Sequence, residues 1–368
     1  MFVPAEPFPP AEYLKDELDA RCWTHEDLAS VLGISRRQVI NLVQGKSGIT
    51  PDMAHALAEA FDQNAQTWMN LQVSYELALA AQEERGIKRR ARVFNKAPIR
   101  ELKRRGWIPD VDDTDELGKA VCNLLRIRSI EEDTRFPIAA RKSTSYDMDT
   151  NAQKAWYGRA WELAEHAPAS QYNRDNLGHG IRELLRLAAY PEDTRRIPQV
   201  LADMGVRLVI VQHLRGTKID GVAFWLDDTS PAIALSARFD RIDNLWFNLM
   251  HELMHIKNED RGSPVDVDTL SGATDLPEIE VRANREAADW LIPENKMESF
   301  IARVKPYFYQ SRVNQFAQAR GVHPGIVVGQ LHYRNEIKYQ QLRALLVKVR
   351  DYIIESAVVD GWGNSPTF

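Results

Sequence analysis

Thr24-His25-Glu26-Asp27-Leu28-Ala29-Ser30-Val31-Leu32-Gly33-Ile34-Ser35-Arg36-Arg37-Gln38-Val39-Ile40-Asn41-Leu42 predicts two short helices about a tight turn. Thr24 can cap the first helix, with the acid Asp27 three residues on. Leu28, Ala29, Val31 and Leu32 supply its apolar face, and Gly33 permits the turn. Ser35 and Gln38 form a second capping box. Val39 and Leu42 then point inward, while Arg36, Arg37, Gln38 and Asn41 point outward. An outward Arg can read guanine in the major groove, and Gln or Asn can read adenine. Lys46, in the turn Gly45-Lys46-Ser47-Gly48, is placed for a phosphate. Taken alone, the pattern also fits an αα-hairpin with a solvated basic corner.

The flanking residues narrow the choice. Pro10-Ala11-Glu12-Tyr13-Leu14, the stretch from Trp23-Thr24 to Gly45-Lys46, and Ile49-Thr50-Pro51-Asp52-Met53-Ala54 form one pattern. It continues from Phe61 to Trp68-Met69-Asn70-Leu71-Gln72. The pattern resembles the HigA-type antitoxin branch of the lambda-repressor-like family. That resemblance implies a five-helix DNA-binding domain over residues 1–82, acting as a homodimer on an operator with an inverted repeat. It also implies a cognate ribonuclease toxin as partner. Acidic residues outnumber basic ones before residue 83, so affinity for DNA must come from the focused recognition helix.

Outward from this domain the composition shifts. Arg85, Lys88, Arg89, Arg90, Arg92, Lys96, Arg100, Lys103, Arg104 and Arg105 face few acids, and Asp110, Asp112, Asp113, Asp115 and Glu116 follow directly. Such a shift marks a hinge, so residues 83–200 are expected to be a basic linker and a helical middle region. Val206–Val211, Val222–Leu226 and Ala232–Leu235 are short β-branched or aromatic runs, separated by Gly221 and by Asp227-Asp228-Thr229-Ser230-Pro231. They predict a small sheet within a core at 201–295. Helical patterning returns near Phe239 and continues through a C-terminal extension at 296–368. The expected class is α+β, helix-dominated and multidomain.

Composition excludes several functions. The chain has 368 residues, 44% hydrophobic and 27% charged, which excludes a wholly disordered or fibrous protein. No run of apolar residues is long enough for a membrane span, and Met1–Pro10 lack the basic start and apolar stretch of a secretory signal. Two distant cysteines, Cys22 and Cys122, supply neither a disulfide framework nor a cysteine zinc site. A cytoplasmic protein without membrane partners is expected.

His251-Glu252-Leu253-Met254-His255 carries the chemistry. On a helix the two histidines share one face and can bind one metal ion, while Glu252 is turned aside, placed to act as general base on water. Burying these groups in a helix flanked by Leu245, Trp246, Phe247, Leu249 and Met250 is costly unless a cation compensates. The longer motif with a third histidine fails, because Asn258 and Arg261 occupy its Gly and His positions. A carboxylate from a second helix is the other solution. Glu280 and Glu286 both lie in the run Glu280–Pro293. Glu280 shares a face with Asn284, Ala287 and Leu291, whose small members allow close approach, so it is the preferred third ligand. Asn284 is then placed to hydrogen-bond a metal-binding histidine.

The stretch from Asp220-Gly221-Val222-Ala223-Phe224-Trp225 through Pro231-Ala232-Ile233-Ala234-Leu235-Ser236 and the histidine helix to Ala287-Ala288 and Leu291-Ile292-Pro293 resembles the ImmA/IrrE-type zinc metallopeptidases. Met254 and Glu286 depart from that family's usual Gly and Phe. The resemblance implies a gluzincin-like fold, Zn2+ bound by His251, His255 and Glu280, and Glu252 as general base. His323, His332 and Tyr333 are candidate oxyanion donors, and the run Ala232-Ile233-Ala234-Leu235 is a candidate for pairing with an extended substrate. The functional expectation is a DNA-binding regulator fused to a zinc endopeptidase that cleaves a partner regulator or toxin. The alternative is an antitoxin and autorepressor whose zinc domain binds a partner or senses a signal without proteolysis.

Overall fold

A computed structural model describes residues 8–134, 138–142, 150–261 and 277–366, with backbone alone for 81–85 and 138–142. The stretch Met1–Pro7, considered above for a leader, lies outside them. The chain divides into two compact units, Met1–Ala91 and Arg92–Phe368.

In the first unit α1 (Pro10–Arg21), α2 (His25–Leu32), α3 (Arg36–Val43) and α4 (Pro51–Phe61) precede a long helix, α5 (Ala65–Lys96), which carries the chain into the second. Both capping boxes form. Thr24 N–H donates to Asp27 Oδ2 at 2.8 Å, and Ser35 N–H donates to Gln38 Oε1 at 2.9 Å. Gly33 ends α2 at φ +66°, a conformation that costs a glycine little. Leu14, Leu28, Val39, Leu57 and Trp68 are fully buried at the centre. Val31 is not part of that core: it is 52% exposed. The buried stripe of α2 follows Leu28 and Ala29, and the helical period rotates Val31 to its rim.

The second unit is built on a five-stranded sheet: β1 (Ile138–Lys142), β2 (Arg207–Val211), β3 (Ile219–Trp225), β4 (Pro231–Leu235) and β5 (Val358–Asp360), in the order β1-β3-β4-β2-β5. β1, β3 and β4 run antiparallel in turn, and β2 pairs parallel with both β4 and β5. Three strands match the expected small sheet. The outer two come from the middle region and the C-terminal extension, both expected to be helical. Gly221 does not separate strands; it lies within β3, paired with Leu235 of β4. β4 has β3 on one side and β2 on the other, so both its hydrogen-bonding edges are filled and it cannot pair with a substrate as expected.

Strand alternation sorts the side chains into two cores. Val209, Val211, Val222, Phe224, Ala232 and Ala234 pack with α6 (Ile99–Arg104), α7 (Thr114–Leu125) and α8 (Asn151–His166). Leu208, Ile210, Ala223, Ile233 and Leu235 face the opposite core. There they meet α9 (Arg174–Arg186), α10 (Ile197–Asp203), α11 (Ile242–Lys257), α12 (Glu278–Leu291), α13 (Glu294–Val304), α14 (Gln310–Arg320), α15 (Pro324–Tyr333) and α16 (Arg350–Ile354). The sheet is therefore covered by helices on both faces.

The basic run is helical, forming the end of α5 and then α6. Ile99 and Leu102 are buried, and the Arg105 guanidinium donates to the carbonyls of Gln212 and His213 at 2.8 and 3.0 Å. The acidic residues that follow also act locally: the Asp113 side chain caps α7, accepting from the backbone N–H of Asp115 and Glu116. Val93, Ala97, Ile99 and Leu102, within the charged run, are buried in the core of the second unit.

Candidate metal centre and helix-turn-helix face

α11 is apolar nearly all round, with Leu245, Trp246, Leu249, Met250, Leu253, Met254 and Ile256 buried, as befits the central helix of its layer. His251, Glu252 and His255 have no exposed surface at all. The i, i+4 spacing stacks the two imidazoles one turn apart, with their Nε2 atoms 3.1 Å from each other. α12 comes close through Ala283 and Ala287, both fully buried, and its first turn delivers Glu280. One Glu280 oxygen lies 3.2 Å from His251 Nε2 and the other 3.4 Å from His255 Nε2.

These spacings allow a direct test of fit. A tetrahedral ion with ligands at about 2.0–2.1 Å has ligand atoms about 3.3 Å apart. The 3.1 Å between the two imidazole nitrogens, and the 3.2 and 3.4 Å from them to the two different Glu280 oxygens, lie near that edge length. Two imidazoles and a carboxylate are also a donor set suited to zinc with one position left open. Glu252 offers a further carboxylate atom within 4.8 Å of both imidazoles. β3 passes close to it: a Cβ on Gly221 would lie 2.9 Å from Glu252 Oε1. The missing side chain of Gly221 lets the strand approach the carboxylate.

The site is strongly coupled in charge. Burial disfavours the Glu280 carboxylate, but hydrogen bonds from His251 and His255 outweigh it and lower its pKa to about 2. Burial likewise disfavours a charged His255, but Glu280, Glu252 and Asp260 overcome it and raise the imidazole to about 9. A proton thus balances the carboxylates in the metal-free protein, and a metal ion would have to displace it.

The surroundings revise two expectations. Asn284 bonds neither histidine; its Oδ1 is buried with no hydrogen-bond partner among the described residues. Asp260, which sequence reasoning missed, occupies that role, with Oδ2 3.0 Å from His255 Nδ1. Glu286 pairs instead with Lys257 at 3.0 Å and with Asn258 Nδ2 at 3.4 Å. Among the candidate oxyanion donors, His323 caps α15 by accepting from Gly325 N–H at 3.0 Å, and burial lowers its pKa in keeping with that acceptor role. His332 contacts the Gln341 carbonyl at 3.0 Å. Tyr333 is 73% exposed and stacks on Phe247, whose ring lies next to His251. Of the three, only Tyr333 is joined by ring contacts to the histidine pair.

On the first unit, Arg37, Gln38 and Lys46 are exposed and Asn41 is half-buried. Arg36 pairs with Glu26 of α2 at 2.5 Å. The Gln38 oxygen is engaged by the N-cap, accepting from both Ser35 N–H and Ser35 Oγ–H.

Residues 14–67 match the helix-turn-helix family, and residues 204–331 match the IrrE N-terminal-like domain. Virulence-associated protein I of Dichelobacter nodosus is 34% identical over 79 residues, 21% of this chain and 73% of that protein. The chain is a helix-turn-helix family member that carries an IrrE N-terminal-like domain. Two solved structures are also similar. The antitoxin HigA of Pseudomonas aeruginosa, solved with the higBA promoter, is 39% identical over 22% of this chain and 91% of its own, with a TM-score of 0.22. An addiction module antidote protein of the HigA family from Coxiella burnetii is 32% identical over 23% and 90%, again with a TM-score of 0.22. The IrrE-like domain holds the histidine pair, Glu252 and Glu280, and extends through α13 and α14 into α15. Among the described residues no helix is long and apolar enough to cross a membrane.

Proposed function

We propose that the chain is a DNA-binding regulator whose IrrE-like domain is a zinc-dependent endopeptidase acting on a partner regulator or toxin. The observation that carries this reading is the convergence of His251, His255 and Glu280 at ligand spacing, with the buried carboxylate of Glu252 beside them. His251, His255 and Glu280 would hold the ion. When bound, zinc supplies Lewis acidity, polarising a peptide carbonyl and making water acidic enough to attack near neutral pH. Glu252 takes the proton from the attacking water and delivers it to the leaving amine. Gly221, having no side chain, lets β3 lie close over that carboxylate. Tyr333, joined through Phe247 to His251, is the candidate for holding the developing oxyanion that these ring contacts favour.

The first unit binds operator DNA as a homodimer in this reading, with Arg36, Arg37, Gln38 and Asn41 toward bases and Lys46 toward phosphate. The similarity to a HigA solved with its promoter supports it. The same similarity supports a second reading, in which the protein is an antitoxin and autorepressor whose zinc domain only binds a partner. A purely binding domain has no need of a buried glutamate next to the first histidine, and this favours the enzyme.

Glu252→Gln separates the two readings, because it keeps shape and metal ligands but removes the base. The protein and the variant are each co-expressed with the product of the adjacent gene, and new termini are sought by mass spectrometry. Cleavage that stops in Glu252→Gln is expected, with operator affinity unchanged. Identical fragments from both forms would contradict the proteolytic mechanism.

A further inference from the structure

α11 ends in an unusual way for a helix with a charged, glycine-free C-terminus. Glu259 takes a left-handed conformation, φ +53°, and Asp260 N–H donates back to the His255 carbonyl at 2.9 Å. This closing turn folds Asp260 under the last turn of the helix, where its Oδ2 meets His255 Nδ1 at 3.0 Å. The other carboxylate oxygen forms an ion pair with Arg282. Arg282 lies on α12, two residues beyond Glu280. Asp260 is itself nearly buried, with a side chain 10% exposed.

We propose that Asp260 is the positioning residue for His255 at the metal centre, and that Arg282 fixes it there from α12. A carboxylate on Nδ1 keeps the proton on that nitrogen and leaves the Nε2 lone pair, on the side of Glu280 and the other imidazole, available to a metal ion. Arg282 has a second effect: it ties the end of α11 to the helix that supplies Glu280. The two helices that carry the ligands are therefore locked together beside the site, in addition to their contact through Ala283 and Ala287. The inference rests on reading the site as a zinc centre, and the ligand it concerns is the divalent cation itself.

The test uses the purified full chain, with zinc affinity measured by competition against a chelator and the folding of each metal-free variant checked by thermal denaturation. Asp260→Ala is expected to weaken zinc binding roughly 10–100-fold. Asp260→Asn should lose less, because its side-chain oxygen still accepts from Nδ1–H. Arg282→Ala should weaken binding several-fold in the wild-type background and have no further effect on top of Asp260→Ala, the non-additivity expected of two residues in one chain of contacts. Should Asp260→Ala fail to fold, Asp260→Asn and Arg282→Ala carry the test. Wild-type affinity in both of these would overturn the positioning role while leaving the zinc reading in place. A wild-type protein that holds no zinc would overturn the zinc reading, and the positioning role with it.

Discussion

At the scale of single residues, several side chains carry two duties. Gln38 both closes the N-cap of α3 and stands where the proposed recognition helix would read a base. Arg37 is exposed on the same helix. Gln38→Ala is therefore expected to lower stability by less than about 1 kcal/mol, because the Ser35 cap itself remains and only the return half of the capping box is lost, and to weaken operator binding as well. Arg37→Ala should weaken operator binding by about 1–3 kcal/mol with stability unchanged. Denaturation and fluorescence anisotropy on the two variants separate these effects, and an uncapped, unstable Arg37→Ala would count against the assignment. The residue scale also shows where sequence reading stops. Two histidines four apart on an apolar helix follow from periodicity, and the small residues Ala283 and Ala287 point to the helix that brings Glu280. Asp260 is invisible to such reasoning, because its place depends on a left-handed glutamate that no residue type announces. Asn284 lies on the expected face, but a helical face gives direction and not reach.

At the scale of elements, the pair α11 and α12 is a charged assembly inside an apolar layer, and its pH response follows from the shifted groups. In the metal-free protein His255 titrates at about 9, above its ordinary 6.5. Its contribution to stability is full below about pH 6.5 and is lost as pH rises through 9. Glu280 titrates at about 2, below its ordinary 4.5, so its contribution is present above 4.5 and is lost as pH falls through 2. The chelated protein should thus gain most from this pair between about pH 4.5 and 6.5. Zinc acts in the opposite sense, because it needs both imidazoles unprotonated, so the stabilisation it adds should grow as pH rises through neutrality. Melting temperatures with and without chelator across that range check both slopes. A zinc increment that shrinks with rising pH would be incompatible with histidine ligands. The strands show a different limit of legibility. β2, β3 and β4 are visible as local β-branched runs, whereas β1 and β5 are edge strands whose partners are distant in sequence. Their pairing is a tertiary choice, and the same is true of Gly221, which looks like a turn residue until Glu252 is seen beneath it.

At the scale of the whole molecule, the chain joins a helix-turn-helix domain to an IrrE-like domain, and the charged stretch between them is helical, its later part packed with the second unit. The helix-turn-helix and the α+β character were legible from the two motifs and from the change in period near residue 206, but that residues 92–200 share one compact unit with the sheet was not. The layered arrangement, with a sheet covered on both faces, was not, because helices in the middle region give no sign of which face of the sheet they will cover. The account depends on a metal held by three residues from two helices, beside a carboxylate that holds none of it. Metal content of the purified chain tests this most directly. About one zinc per chain is expected in the wild type, in Glu252→Gln and in Glu286→Ala, with loss of stoichiometric zinc in His251→Ala, His255→Ala and Glu280→Ala. Full zinc retention in either histidine variant would contradict the assignment.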